Sequence, residues 1–384
     1  MSRQKFQFNI GEFEFSIREL AGSMGDFGTL FPLAIGYFAV NGLNPTGLLV
    51  MMGLANIVTG IIYKLPMPLQ PMKVIAVMAI AQKWPASRIY ASGVATGIIW
   101  LLLSLSGTVQ KLATITPRSV IRGIQVALGI MLAIEGFKLV STGWMLGVVS
   151  VLIVIFLRKN KYAPAAIVLM ILGIVVMAFK GELSGIVQPG FDLPSLTPFE
   201  PVEMWHGLVM AGFSQLPLTA TNAVIATSVL LKDYFPHRPV SEKKLALNMG
   251  IMNTILPFFG GMPMCHGAGG LAGQYYFGAR TGGTNIMEGV IEVLLGIFLA
   301  GSIATLFAMF PESIIGAMLL LVGIQLTRFA RDINLNELPI MGVVVVLALL
   351  TNMAVGFVVA MGLFHAIRRW GKDNRYINWI ISSQ

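Results

Sequence analysis

Apolar residues run almost unbroken through stretches such as 145–157 (MLGVVSVLIVIFL) and 341–350 (MGVVVVLALL), with no polar face recurring at a helical or strand period. Such runs predict helices apolar on every side, whereas a lipid-facing barrel strand would alternate apolar and polar over ~10 residues. Read between turn and charge signals, the pattern predicts helices near 20–40, 46–63, 88–106, 118–138, 143–157 and 162–179, then a polar loop over 180–202. A second set follows near 203–230, 243–260, 284–309, 311–330, 338–351 and 353–369. Two further apolar stretches, 71–82 and 265–277, span roughly half of the ~20 residues needed to cross hydrocarbon. They predict half-helices held inside protein.

Counting both half-helices as crossings gives fourteen segments, so every loop has an expected side once the N-terminus is placed in the cytoplasm. Twenty of the 26 Lys and Arg residues then fall on the cytoplasmic side: Arg3, Lys5, Arg18, Lys111, Arg118, Arg122, Arg158, Lys159, Lys161, Lys232, Arg238, Lys243, Lys244, Arg280, Arg328, Arg331, Arg368, Arg369, Lys372 and Arg375. Lys83, Arg88, Lys138 and Lys180 fall outside, Lys64 and Lys73 flank the first half-helix, and the outer loop carries Glu182, Asp192 and Glu200. Positive-inside sorting produces this asymmetry. The net charge of +9 is thereby explained by orientation in a bilayer, and nucleic acid is set aside as a partner.

Composition agrees, since 56% hydrophobic and 11% charged residues leave too little polar surface to cover a soluble globule. The fold class expected is an all-α integral membrane protein of the plasma membrane, with both termini cytoplasmic. Cys265 is the single cysteine and excludes an intrachain disulfide. The first twenty residues are polar and charged, so no removable leader is expected.

Asn56 stands ten residues before Pro66 in PMPLQPMK, and Asn253 ten before Pro263 in PMCHGAGG, so the two stretches align without a gap. LFPLA (30–34) likewise resembles QLPLT (215–219), and PRSVIRG (117–123) resembles PESIIGA (311–317). Two copies of one seven-segment unit follow, and an odd count turns the second copy upside down, as in many secondary transporters. Proline bars helix at the residue before it, so each stretch should be extended and end in a helix N-terminus. Inversion makes the two N-termini face one another. Their unpaired N–H groups and positive dipole ends form a small-anion site, and the glycines of HGAGG let the backbone approach a ligand.

Lys73 either adds a full charge there or snorkels, and His266 either donates to the ligand or packs as a polar residue. Cys265 reads as packing. Thr29, Gln70, Gln215 and Asn222 are neutral polar groups that must find partners inside hydrocarbon. Asp26 caps a helix or carries a coupling proton. Asp26 and Glu288 are the candidates for proton coupling, while structural pairing is the plainer reading for Glu135, Glu288 and Glu292. No phosphate-binding loop, metal-ligand spacing or nucleophile elbow is present, so the expectation is a non-enzyme without cofactor or metal.

GDFGTLFPL (25–33), PMPLQPMKVIAVMAIA (66–81), QLPLTATNAVIA (215–226) and PMCHGAGGLAGQYYFGARTGG (263–283) resemble the molybdate transporter family, a distant branch of the SulP sulfate permease group with nucleobase-transporter-like architecture. The resemblance implies a core domain (1–110 and 203–309) moving against a gate domain (111–202 and 310–384); where SulP relatives carry a STAS domain, none is expected here, because only residues 370–384 follow the last predicted helix. It implies substrate between the starts of segments 3 and 10, at Gln70, Pro71, Met72, Lys73, Cys265, His266 and Gly267, with Thr29 and Gln215 contributing. The carboxylates used by nucleobase carriers have no match near 215–226 or 265–275. Molybdate is therefore the leading substrate and sulfate the close alternative, with an anion channel or sensor as the reading of another class. A homodimer is implied by analogy.

Overall fold

Residues 7–157, 165–183, 186–187 and 189–370 are described by a computed structural model. Of the basic residues assigned above to the cytoplasm, Arg3, Lys5, Arg158, Lys159, Lys161, Lys372 and Arg375 lie outside them. The chain opens on an unexpected hairpin. β1 (Gln7–Ile10) pairs antiparallel with β2 (Phe13–Ser16) around Gly11, whose φ of +58° suits glycine. At its tip Glu12 pairs with Lys64 and, at 2.6 Å, with Arg238, and these cations hold its carboxyl below the usual carboxylate range.

Helices make up nearly everything else. In the first half they are α1 (Ile17–Ser23), α2 (Phe27–Ala39), α3 (Pro45–Tyr63), α4 (Lys73–Ala81), α5 (Ala86–Ser106), α6 (Val109–Ile115), α7 (Arg118–Val140), α8 (Trp144–Leu157) and α9 (Ala165–Phe179). In the second half they are α10 (Pro201–Gly207), α11 (Phe213–Thr219), α12 (Ala226–Tyr234), α13 (Glu242–Ile255), α14 (Ala268–Phe277), α15 (Gly283–Phe298), α16 (Ala300–Met309), α17 (Glu312–Arg328), α18 (Leu338–Leu350) and α19 (Met353–Trp370). Two strands of two residues each, β3 (Gln70–Pro71) and β4 (Met264–Cys265), precede α4 and α14.

Several expected single helices are broken. The first segment divides at the 3-10 turn Met24–Asp26. α10 to α12 form one rod, Pro201–Tyr234, carrying π-helical stretches at Leu208–Gly212 and Ala220–Ile225 on either side of Pro217, whose missing N–H disturbs the regular ladder. α15 and α16 meet at 84°. At Ser141–Gly143 the chain folds back, because Gly147 touches the carbonyl of Val140 although a straight helix would separate them by ~10 Å along its axis. Among the described residues, the helical stretches 45–63, 86–106, 201–234 and, with its fold at 141–143, 118–157 are long and apolar enough by length and composition to cross a bilayer, and the bent pair 283–309 would make a fifth. Shorter pieces such as the 13-residue α2 and α18 depend on their neighbours.

Packing follows small residues. α3 lies against α15, α5 against α13, and α7 against α17 and α18. Two glycines seven residues apart on α7 meet two with the same spacing on α17, antiparallel: an added Cβ on Gly136 would stand 2.6 Å from the carbonyl oxygen of Gly316, and one on Gly129 2.7 Å from that of Gly323. Without side chains the two backbones touch, which is how helices associate where lipid is as apolar as leucine.

Candidate functional site

Extended backbone deep in a membrane protein must have every N–H and C=O accounted for. In residues 66–72, Pro66, Pro68 and Pro71 have no N–H to satisfy. Met67 is held at both ends by Asn285, whose Oδ1 accepts from Met67 N at 2.9 Å while its Nδ2 donates to Met67 O at 2.7 Å. The second stretch repeats the device. Pro263 lacks a donor, and Asn253 accepts from Met264 N and donates to Met264 O, both at 2.7 Å. This is the physical meaning of the asparagines ten residues before each proline, with one difference: Asn56 does not touch Met67 but accepts from Asn285 Nδ2 at 2.9 Å.

Thus secured, β3 and β4 pair antiparallel, Gln70 opposite Cys265 and Pro71 opposite Met264, and Met72 N donates to Pro263 O at 2.9 Å. α4 starts one residue beyond Met72 and α14 one residue beyond Gly267. Because the strands run oppositely, the two half-helix N-termini lie beside the same short ribbon and the helices lead away from it.

The structure brings most of the sequence-derived residues to this place, in different roles. Gln215 Oε1 accepts from Val74 N at 2.7 Å and Ile75 N at 3.4 Å, and its Nε2 donates to Thr219 Oγ1 at 2.6 Å. It caps α4, using two of the amides that the sequence left for an anion. Gln70 lies against the first turn of α14: a Cβ on Gly267 would be 2.5 Å from its Oε1, and one on Gly270 2.6 Å from its Nε2. Here the glycines are required for the approach of a protein amide. Lys73 is partly exposed, and its charge acts on Cys265 and Asp26.

Asp26, in the turn between α1 and α2, is 4% exposed, faces Gln70 and Lys73, and leaves Oδ1 without a donor. A carboxylate therefore borders a site whose helix starts carry none. Thr29 follows on α2, one turn along and partly exposed. His266 is fully buried, with Nδ1 3.3 Å from Pro68 O and Nε2 3.1 Å from the side-chain amide of Asn248. A carbonyl only accepts, so Nδ1 carries the hydrogen toward Pro68 O, while Nε2 lies beside Oδ1 of Asn248. His266 braces the two extended stretches. Glu288 is buried on α15 and borders an apolar cavity, and Glu135 pairs with Lys138 at 3.2 Å.

Two residues escaped the sequence reading. Asn285 has no repeat-related partner to single it out. Gln274, on α14, is fully buried with neither amide atom paired, a feature that only coordinates reveal.

Chemically, two helix starts, one ammonium and several amides can hold a small anion, and Asp26 can take part in proton exchange. No group of three or more His, Cys, Asp or Glu side chains could hold a metal ion among the described residues.

Comparison with known proteins places the chain in a family. Molybdate transporter 1 of Arabidopsis thaliana is 32% identical over 90% of this chain and 87% of its own, and Molybdate transporter 2 of the same plant is 31% identical over 83% and 80%. Among solved structures, the transmembrane domain of the cyanobacterial bicarbonate transporter BicA superposes with a TM-score of 0.65 at 17% identity, covering 89% of this chain and 96% of that one. The murine anion transporter Slc26a9 in its inward-facing state gives 0.70 at 14% identity, covering 94% and 70%. The mostly helical fold is thus that of the BicA and Slc26a9 membrane domains. A family model described as "Molybdate transporter of MFS superfamily" matches residues 18–132 and 207–326, and the chain belongs to this family of membrane transporters.

Proposed function

We propose that the chain is a secondary active transporter that moves molybdate, a tetrahedral dianion, across the cytoplasmic membrane by elevator-type alternating access. The observation that carries the reading is the buried β3–β4 ribbon, which joins two half-helix starts with Lys73 at the first of them. Its substrate contacts are Thr29, Gln70, Pro71, Met72, Lys73, Cys265 and Gly267, with Gln215 and His266 holding the helix starts rather than the ion.

The same reading takes the chain as fourteen segments in two inverted sevens, with a core of 1–110 and 203–309 and a gate of 111–202 and 310–384. Helix pairing supports it. If segment 2 matches 9, 4 matches 11 and 5 matches 12, then the α3–α15 contact exchanges with α13–α5, while α7–α17 and β3–β4 map onto themselves. A two-fold axis in the membrane plane generates that pattern. The ribbon ties both half-helices together, so the site would travel as one body with the core.

Uptake of radiolabelled molybdate and sulfate into liposomes holding the purified protein, each competed by the other, tests the reading. Saturable molybdate uptake is expected. Flux rising linearly with concentration would indicate a channel, and sulfate outcompeting molybdate would replace the substrate. Lys73→Met should weaken molybdate binding roughly 10- to 150-fold, the loss of a charge-assisted contact of about 1.5–3 kcal/mol, while elution and melting stay unchanged. Unchanged affinity, read by calorimetry, would remove Lys73 from the site.

A further inference from the structure

Glu288 and Glu292 stand one turn apart on α15, 6% and 7% exposed, and both border a cavity of about 490 Å³. Its other walls are almost wholly apolar, including Leu30, Phe31, Met52 and Leu306; the Ser23 hydroxyl also borders it but is spent on Leu20 O at 2.8 Å. Glu292 Oε2 accepts from Asn56 Nδ2 at 2.8 Å, whereas Glu288 makes no hydrogen bond with any described residue.

Among the described residues, no cation faces the pair. α2, α3, α9 and α16 contribute no charged side chain within their lengths. On α1, Glu19 is spent on Arg280, Thr281 and Thr284 at the start of α15, and Arg18 on Glu14 of β2. The further charge acting on both is the carboxylate of Asp26, whose Oδ1 lacks a donor and which faces Gln70 and Lys73.

Two ionised carboxylates left together in such surroundings would repel one another and forgo hydration worth several kcal/mol each. A metal ion would need more oxygens than these walls supply. A proton needs only one. The pair is also wired to the ribbon: Glu292 to Asn56, Asn56 to Asn285, and Asn285 to both backbone groups of Met67.

We infer that Glu288 and Glu292 form a proton-binding site, holding one exchangeable proton whose arrival and departure are transmitted through Asn56 and Asn285 to the extended stretch before α4. The inference rests on the transporter reading and names its coupling ion. A proton taken from water on one side bonds to a carboxylate oxygen of the pair, travels with the site, and returns to water on the other side as the oxyanion is released.

Proteoliposomes containing wild type, Glu288→Gln, Glu292→Gln or the double variant test it, with molybdate accumulation measured with and without a pH step of one unit, acid outside. For wild type the step should raise accumulation up to about tenfold per coupled proton. The double variant, neutral at both positions, should bind molybdate at least as tightly as wild type, with an affinity that no longer changes with pH, and show accumulation indifferent to the step. Gradient-driven accumulation that survives in the double variant overturns the inference. Proton uptake on adding molybdate to wild type in weak buffer, followed with an indicator dye, needs no variant: about one proton per chain supports the site, and none overturns it. Wild-type uptake that ignores the gradient sinks the proton site alone, whereas no molybdate uptake at all sinks the transporter reading as well.

Discussion

Asn285→Leu should abolish oxyanion uptake and lower the melting midpoint by several degrees, and Asn253→Leu should do the same from the other half. Leucine matches asparagine closely in size, so the effect is one of hydrogen bonding. Each substitution strands one buried N–H and one buried C=O, of Met67 or of Met264. An unpaired buried group costs about 1–3 kcal/mol, so each variant loses about 2–6 kcal/mol. The loss falls where β3 and β4 set the spacing of the two helix starts, and uptake should therefore vanish even in molecules that fold. Melting followed by fluorescence-detected size exclusion, beside uptake in liposomes, reads both effects. A melting midpoint within about one degree of wild type, with uptake retained, would show that the asparagines do not hold the ribbon.

The other large effect concerns folding. Gly136→Val and Gly316→Val each place a Cβ within 2.5–2.6 Å of a carbonyl oxygen on the facing helix, whose backbone can yield only if α7 and α17 separate. Loss of monodisperse protein on size exclusion is expected for both. Gly342→Val supplies the comparison, because nothing lies within 4 Å of the added carbon there, and it should fold as wild type does. Equal behaviour of Gly136→Val and Gly342→Val would mean that the α7–α17 contact does not require glycine.

Much of this was legible in the chain. Apolar runs gave the helical membrane character, because backbone groups in lipid have no partner other than their own helix. The doubled proline stretches gave the two half-helices, because proline forbids helix at the residue before it. The repeat of Asn56 and Asn253 marked something shared. That Asn253 serves the backbone was not legible, nor that Asn285 rather than Asn56 does so at Met67, since a side-chain amide looks the same in sequence whether it faces a ligand or a peptide group. Gln215 and His266 illustrate the same limit: both are polar residues near helix starts, and only their distances to Val74 N and Pro68 O assign them to the scaffold.

Asp26 and Glu292 make the point for charge. Their positions in the chain are 266 residues apart, yet the fold brings them close enough to act on one another, and it leaves Glu288 beside them without a hydrogen-bond partner. Sequence alone determined that this protein lives in a bilayer and that two extended proline stretches each lead into a short helix, because these follow from local steric rules and from the price of exposing backbone to lipid. Which polar groups meet across the halves was decided by tertiary structure alone, because hydrogen bonds and Coulomb forces act between neighbours in space and the chain brings those together only by folding.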